Sequence, residues 1–454
     1  MKLAHVISAL RVALFAFSPL SPLSPLSLLS LSACGGSATA GGGPASATRL
    51  RSADPRANQA TPPVGSGDGV APRPAQLDRG ASGSGLEDTS KKTAALETAA
   101  YTDSDHVTVF TPAITGTIEN VVDGATLSGS YLVDVVSAAS VDIIATASKR
   151  WHEVRHAGTL SGRYKPRDLG VGFSASASSE PDYLSYGASG NISYDLDEKN
   201  TSLFFGYGYG HDTIGRSGTP FTTFARSLQR GSFLLGFDQV VGPATLASLS
   251  LSAIIENGDQ SKPYRYIPMF SPKEAVNVPS GASIEYVNAH RLVERPLEQL
   301  PLARRRFALS FQIAHRLESS TIRATERAYV DNWGVKATTT DARWIFDVAD
   351  RVRLWPHVRF HAQTPVTFWH RAYVSASQQG FSLPEFRTGD RELGPLFGVT
   401  GGGGAKVFLG SSAHPHFFAI AFEADAVYTT YLDDLFITSR TGLLGSITLE
   451  LEEP

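Results

Sequence analysis

The chain has 454 residues, with 40 Lys and Arg against 43 Asp and Glu and a formal net charge of −3. That length suits one large domain with a tail, and because its basic residues are spread along the chain, no nucleic-acid partner is expected. Only 18% of residues are charged, and 42 Gly with 26 Pro favour strands and turns over helices. Beyond the leader no apolar run reaches the ~20 residues that a transmembrane helix needs.

Residues 1–33 read as an export signal. Lys2 and Arg11 supply positive charge, and Val12 to Leu31 form an apolar stretch broken by Pro19, Pro22 and Pro25. The stretch Leu31-Ser32-Ala33-Cys34-Gly35-Gly36 resembles a bacterial lipoprotein signal, in which the cysteine becomes the lipidated N-terminus. Cys34 is the single cysteine of the chain and has no intramolecular disulfide partner. Lipidation at Cys34 is therefore expected; an ordinary cleaved signal with an incidental cysteine is the alternative. Gly35 after the cysteine, rather than Asp, does not retain a lipoprotein at the inner membrane. Residues 34–104 alternate Gly with Ala, Ser, Thr and Pro and cannot bury enough apolar surface to offset chain entropy. They read as a disordered, flexible tail, with a short helix over Lys91 to Ala100 the only regular structure expected.

From residue 105 to 454 the pattern changes. In Val352 to Gln363, the residues Val352, Leu354, Val358, Phe360 and Ala362 fall on one face, and Arg353, His357, Arg359 and His361 on the other. A soluble sandwich needs only about five or six residues per strand. Strands of ten to fourteen residues with one oily and one charged wall fit a membrane barrel instead, oily face outward. Further candidate strands are Val107–Ile118, Thr126–Val136, Glu153–Lys165, Leu169–Ser178, Leu184–Leu196, Ser202–His211, Ser227–Val240 and Thr245–Glu256. A long break with six prolines follows, from about Asn257 to Ala303. Alternation resumes at Phe307 to Ile313 and Ala342 to Val348. A second long connection, Ser377 to Gly394, precedes Leu396–Leu409 and Phe417–Thr430. Gly401 to Gly404 reads as a glycine-rich turn or kink, and Ile447, Leu449 and Leu451 make a closing strand. The chain ends in Pro454 rather than the aromatic residue with which most outer-membrane barrels end.

Gly129 to Asp142, followed by Ala145-Thr146-Ala147-Ser148, and Tyr329-Val330-Asp331-Asn332-Trp333-Gly334-Val335 resemble an uncharacterised bacterial family of outer-membrane proteins, domain of unknown function 3570. The likeness extends over about residues 105–453. It implies a barrel and carries no activity, and the lipoprotein-like leader departs from the family's simplest members.

Arg353, His357, Arg359 and His361, with Arg306, Arg323, Arg327 and Arg343 on neighbouring strands, are the candidate lumen-facing residues. They either line an anion-selective pore or pair with Asp341, Asp347, Glu423 and Asp425 and partly fill the lumen; mixed-charge linings favour the pairing. His357 and His361 share a face but stand about 13 Å apart, too far to share a metal. His414-Pro415-His416 offers weak chelation at a turn, and Asp433-Asp434 reads as turn chemistry. There is no nucleophile elbow, zinc-protease signature or phosphate loop. No catalytic residue, metal or other cofactor is expected, and the protein is read as a non-enzyme. The sequence thus describes an all-β chain. Its transmembrane antiparallel β-barrel of about 14–16 strands follows a disordered tail and is exported to the outer membrane of a Gram-negative bacterium. Outer-membrane lipids, the barrel-assembly machinery, and small solutes or ions are its expected partners. A passive channel is the first functional reading and a closed structural or assembly barrel the second.

Overall fold

The computed structural model describes residues 90–120, 122–138, 151–216, 218–375, 382–409 and 418–453. Cys34, the leader and His414-Pro415-His416 lie outside them, as do residues 34–89 of the tail. The long strands are β1 (Ser90–Asp103), β2 (Thr108–Asn120), β3 (Ala125–Ala138), β4 (Trp151–Tyr164), β5 (Leu169–Glu180), β6 (Tyr183–Leu196), β7 (Thr201–Ile214), β8 (Arg226–Gly242) and β9 (Thr245–Gly258). After a long loop come β11 (Ala303–Arg316), β12 (Ser320–Asp331), β13 (Lys336–Ala349), β14 (Val352–Gln363), β16 (Leu396–Phe408), β17 (Phe418–Tyr431) and β18 (Ser439–Glu453). Each pairs antiparallel with its neighbour in the chain, and β1 pairs with β18 from Lys92↔Glu453 to Asp103↔Gly442. The result is a closed barrel of sixteen strands.

Closure follows from the solvent. Hydrocarbon offers no hydrogen-bond partner, so a sheet can cross a membrane only when it has no free edge. At about 3.3 Å per residue, strands of 12 to 17 residues outreach an apolar band of about 25 Å even when tilted, so their ends project beyond it. Side-chain alternation does the rest. On β14, Val358 and Phe360 are 40% and 46% exposed, whereas Arg359 and His361 are 4% and 6% exposed. The same outward set recurs around the wall, for example in Ile114, Phe173, Phe205, Leu235 and Ile447. Tyr186, Tyr207, Tyr209, Trp344 and Tyr428 add exposed aromatics to that surface. Trp333 and Tyr373 are buried and Tyr329 is half-buried.

Two readings of the sequence are corrected. The barrel begins at Ser90, not 105: residues 90–103 of the expected tail, including the expected short helix, are β1. Its alternation is faint because Leu96 is the one large aliphatic residue among Ala, Thr and Lys, so the pairing partners β2 and β18 define it. Gly401 to Gly404 form no turn; they lie inside β16, paired with Val358 to Trp355 on one side and Ala426 to Glu423 on the other. Gly402 and Gly404 point inward. A Cβ on Gly402 would collide with Ala424 and Asp425, and one on Gly404 with the Trp355 ring. These glycines keep the inner wall bare where neighbouring side chains cross it.

All connections at the end holding Ser90 and Glu453 are short where described, as at 165–168, 243–244 and 350–351. The long ones lie at the other end. Residues 259–302 contain β10 (Met269–Phe270), α1 (Pro272–Ala275) and α2 (Ile284–His290), and β15 (Tyr373–Val374) in the loop after β14 pairs parallel with β10. Phe270, Val278, Ala282 and Val287 form a small core with Leu435 from the β17–β18 loop. Leu300, Trp333, Val335, Val366 and Leu393 form another. The loops therefore carry apolar cores of their own beyond the wall.

Placing Arg at Val358 is expected to lower stability by about 2–4 kcal/mol, the cost of a lipid-facing cation near mid-membrane. Gly402→Ala is expected to cost about 1–3 kcal/mol by overpacking. Urea unfolding of the protein in lipid vesicles measures both; wild-type midpoints for both variants would contradict the assigned faces.

Candidate functional site

The inner wall divides into two unlike halves. On β5 to β7 the inward positions at mid-strand are small, among them Ser174, Ser176, Gly187, Ser189, Gly206 and Gly208. On β12, β13, β14 and β17 they include Arg323, Arg327, Asp341, Arg343, His357, Arg359, Glu423 and Asp425. Arg306 pairs with Glu256 of β9, Arg304 with Asp331 at 2.6 Å, and Arg343 of β13 with Glu423 of β17 at 3.6 Å. His357 lies between two carboxylates, with Nε2 2.9 Å from Asp341 Oδ2 and Nδ1 3.3 Å from Asp425 Oδ1. Arg353 Nε donates to Asp347 at 2.9 Å, and Arg316 reaches the same carboxylate at 2.6 Å. Trp355 Nε1 donates to Glu423 Oε1 at 3.0 Å. Residues of β14 can meet residues of β17 because the strand between them presents Gly402 and Gly404.

The sequence-selected residues Arg306, Arg323, Arg343, Arg353, His357, Arg359 and His361 lie on β11 to β14. Arg343 pairs with Glu423, Arg353 with Asp347, and His357 with Asp341 and Asp425. Arg359 faces inward, buried beside His361, whose Nδ1 is 2.9 Å from Thr339 Oγ1. Arg306 belongs to a different cluster, toward β9. Arg323 stands directly across from Arg343, and its buried Nε has no hydrogen-bond partner. Two cations opposite one another repel, and Glu423 lies 3.6 Å from Arg343. The acidic groups Glu97, Glu423 and Glu450 lie close enough to influence one another electrostatically, making β17 to β1 the acidic side.

The loop end holds a second constellation that strand periodicity does not reveal. Arg265 of the β9–β11 loop lies 3.0 Å from Glu298 and 3.1 Å from Asp390 of the β14–β16 loop. Burial alone would pull the Arg265 guanidinium down, but the two carboxylates more than offset this and hold it above its ordinary value. Thr388 Oγ1 donates to Glu298 at 2.7 Å, and Thr388 N donates to Tyr373 Oη at 2.9 Å. Burial pushes the Tyr373 hydroxyl up to about 12. One residue after Asp390, Arg391 donates to Asp105 in the β1–β2 turn at 2.8 Å. Glu392 accepts from Tyr431 at 3.2 Å and from Arg440 at 3.4 Å, on the adjoining strands β17 and β18. The two long loops are thus tied to each other and to the barrel mouth. Among the sequence candidates outside the wall, Asp433 pairs with Arg371 at 2.5 Å, and Asp434 Oδ1 accepts from Phe436 N and Ile437 N as a turn residue does.

Arg265→Ala would leave Glu298 and Asp390 buried without their shared cation, a loss of about 3–5 kcal/mol. Faster tryptic cleavage within residues 259–302 of a barrel that stays folded is the expected outcome. Unchanged cleavage would contradict the tie.

Among solved structures, the barrel is similar to CdiB from Acinetobacter baumannii, with a TM-score of 0.42 and 11% identity over 80% of this chain. The chain spans 60% of that protein's length. OccK1 (OpdK) of Pseudomonas aeruginosa gives a TM-score of 0.39 and 8% identity, with 81% of this chain and 100% of that one covered. The siderophore receptor PirA from Acinetobacter baumannii gives 0.37 and 10%, with 75% and 53% covered. No similar sequence was found among curated proteins. A family model described as a protein of unknown function matches residues 145–233 and 225–409, more than half of the chain. The Tyr329 to Val335 motif lies inside the match, and Gly129 to Asp142 lies before it. With a closed antiparallel barrel, an apolar outer face and this match in place, the chain belongs to the DUF3570 family.

Proposed function

We propose that the protein is an outer-membrane channel passing small solutes passively along a narrow lumen with one charged wall. The observation that carries this reading is the asymmetry of the inner face. Small Ser and Gly side chains on β5 to β7 take up little room, while Arg323, Arg343, Arg353, His357 and Arg359 face the same interior from β12 to β14. A barrel that served only as a rigid post would gain from large apolar groups in its core. A polar lining instead tolerates water and hydrated solutes. The Arg323/Arg343 juxtaposition favours anions, although neighbouring carboxylates offset much of the positive charge. The short-turn end then faces the periplasm and the looped end the outside. The proposed role is passage, with no bond made or broken.

The tied loops support a second reading, a closed barrel acting as a structural or assembly partner. Arg265 binds the two long loops to each other, Arg391 and Arg440 bind the β14–β16 loop to the barrel rim, and inward groups such as Glu256, Arg359 and Thr448 are buried.

Planar-bilayer conductance of the folded protein, with the reversal potential taken in a salt gradient, separates the two. Stable steps with anion preference are expected, and Arg323→Ala with Arg359→Ala should move the reversal potential toward zero. A folded, heat-modifiable protein that carries no current, with or without Arg391→Ala to loosen the loops, would overturn the channel and leave the closed barrel.

A further inference from the structure

Glu153 of β4, Glu180 at the end of β5 and Asp182 in the β5–β6 turn meet at the looped end of the barrel. Each offers a carboxylate oxygen, and the three oxygens lie within 4.8 Å of one another. They are not surface acids: Glu153 and Glu180 are 7% exposed and Asp182 is 1% exposed. Tyr264, from the β9–β11 loop, donates its hydroxyl to Asp182 Oδ2 at 2.6 Å. The other oxygen of that carboxylate, Oδ1, is fully buried and has no hydrogen-bond partner. An acceptor in this position costs about 1–3 kcal/mol unless a hydrogen-bond donor or a cation meets it. The nearest basic groups are Arg155 and Lys262. Arg155 is already bound to Asp134 through Nε at 2.6 Å and Nη2 at 2.5 Å. Lys262 brings one positive charge to three carboxylates.

We infer that Glu153, Glu180 and Asp182 form a binding site for a divalent cation that fastens the β9–β11 loop to the barrel rim. The donor set is all oxygen, without His or Cys, which selects a hard cation over zinc or copper. Calcium suits it better than magnesium. Calcium takes oxygens at about 2.4 Å in irregular geometry, so oxygens spread over almost twice that distance can share it. Magnesium needs a tighter octahedron at about 2.1 Å. Three carboxylates this close repel unless a proton or a metal lies between them, and the metal also satisfies the orphan Asp182 oxygen. Through Tyr264 on the second oxygen of Asp182, the ion would brace the loop segment that carries Arg265. The site is independent of whether the lumen conducts. Sequence reading passes over it because residues 153, 180 and 182 share no metal-ligand spacing; pairing of β4 with β5 brings them together.

The test is calorimetric titration of the chelator-washed, folded full-length protein with calcium chloride, and separately with magnesium chloride. One calcium per chain is expected, with a dissociation constant at or below about 1 mM, as in other extracellular sites, and with weaker magnesium binding. Calcium should also slow tryptic cleavage after Arg265. Glu180→Gln and Asp182→Asn should each abolish both effects while the barrel remains heat-modifiable; should either fail to fold, Glu153→Gln serves in its place. Asp123→Asn, in an exposed turn, should change neither. Absence of calcium binding at several millimolar, or binding that survives Glu153→Gln and Glu180→Gln, would overturn the assignment.

Discussion

Everything in this molecule depends on the pairing of β1 with β18. Hydrocarbon punishes an unpaired backbone amide or carbonyl by several kcal/mol, so fifteen strands with a free edge would not be a membrane protein. The closing ladder runs from Lys92↔Glu453 to Asp103↔Gly442. It needs no large side chains, since its value lies in the main chain. That is why a segment as plain as Ser90 to Asp103 can be an essential strand. Closure also creates an inside, and from it follow the alternation of faces, the inward charges and the need for loops to manage one mouth.

Inside the wall, side-chain size sets what charge can do. Glycine at 402 and 404 lets Trp355 and His357 lie across β16 to meet Glu423 and Asp425. Without that gap the basic wall would lack its nearest acids. Desolvated charges of this kind are costly singly and tolerable in networks. A network with shared carboxylates, such as Asp347 between Arg316 and Arg353, holds side chains in place without filling the interior with hydrocarbon. The small residues of β5 to β7 face it across the lumen. At the mouth, the Arg265 and Arg391 contacts apply the same chemistry between loops, where no sheet ladder is available.

Strand β14 shows how much of this was legible in the sequence. Val358 and Phe360 against Arg359 and His361 is a period-two pattern with strong contrast, and both the face and the span could be read directly. The facing ends of β6 and β7 were equally plain, because the polar stretch Asp197 to Asn200 separates two aromatic-rich runs, whereas β7 runs three residues past its expected end at His211. Partners named from composition alone, Asp341, Asp347, Glu423 and Asp425, do sit beside Arg343, Arg353 and His357. Three things stayed hidden for physical reasons. β1 lacks apolar contrast, so its identity comes from pairing rather than from its own side chains. The glycines of β16 resemble a turn unless the rings and carboxylates beside them are known. The loop ties and the acidic cluster join residues as distant as Asp105 with Arg391, and no local period encodes such contacts.

The most direct test of the account is site-directed spin labelling along Val352 to Gln363 in lipid vesicles, in a Cys34→Ser background. Each label would be read by its collision rate with oxygen, which concentrates in the bilayer. A two-residue period is predicted, with maxima at positions 354, 358 and 360 and minima at 357, 359 and 361. A flat profile, or one with the phase reversed, would contradict a barrel that turns its oily wall to lipid and its charged wall inward.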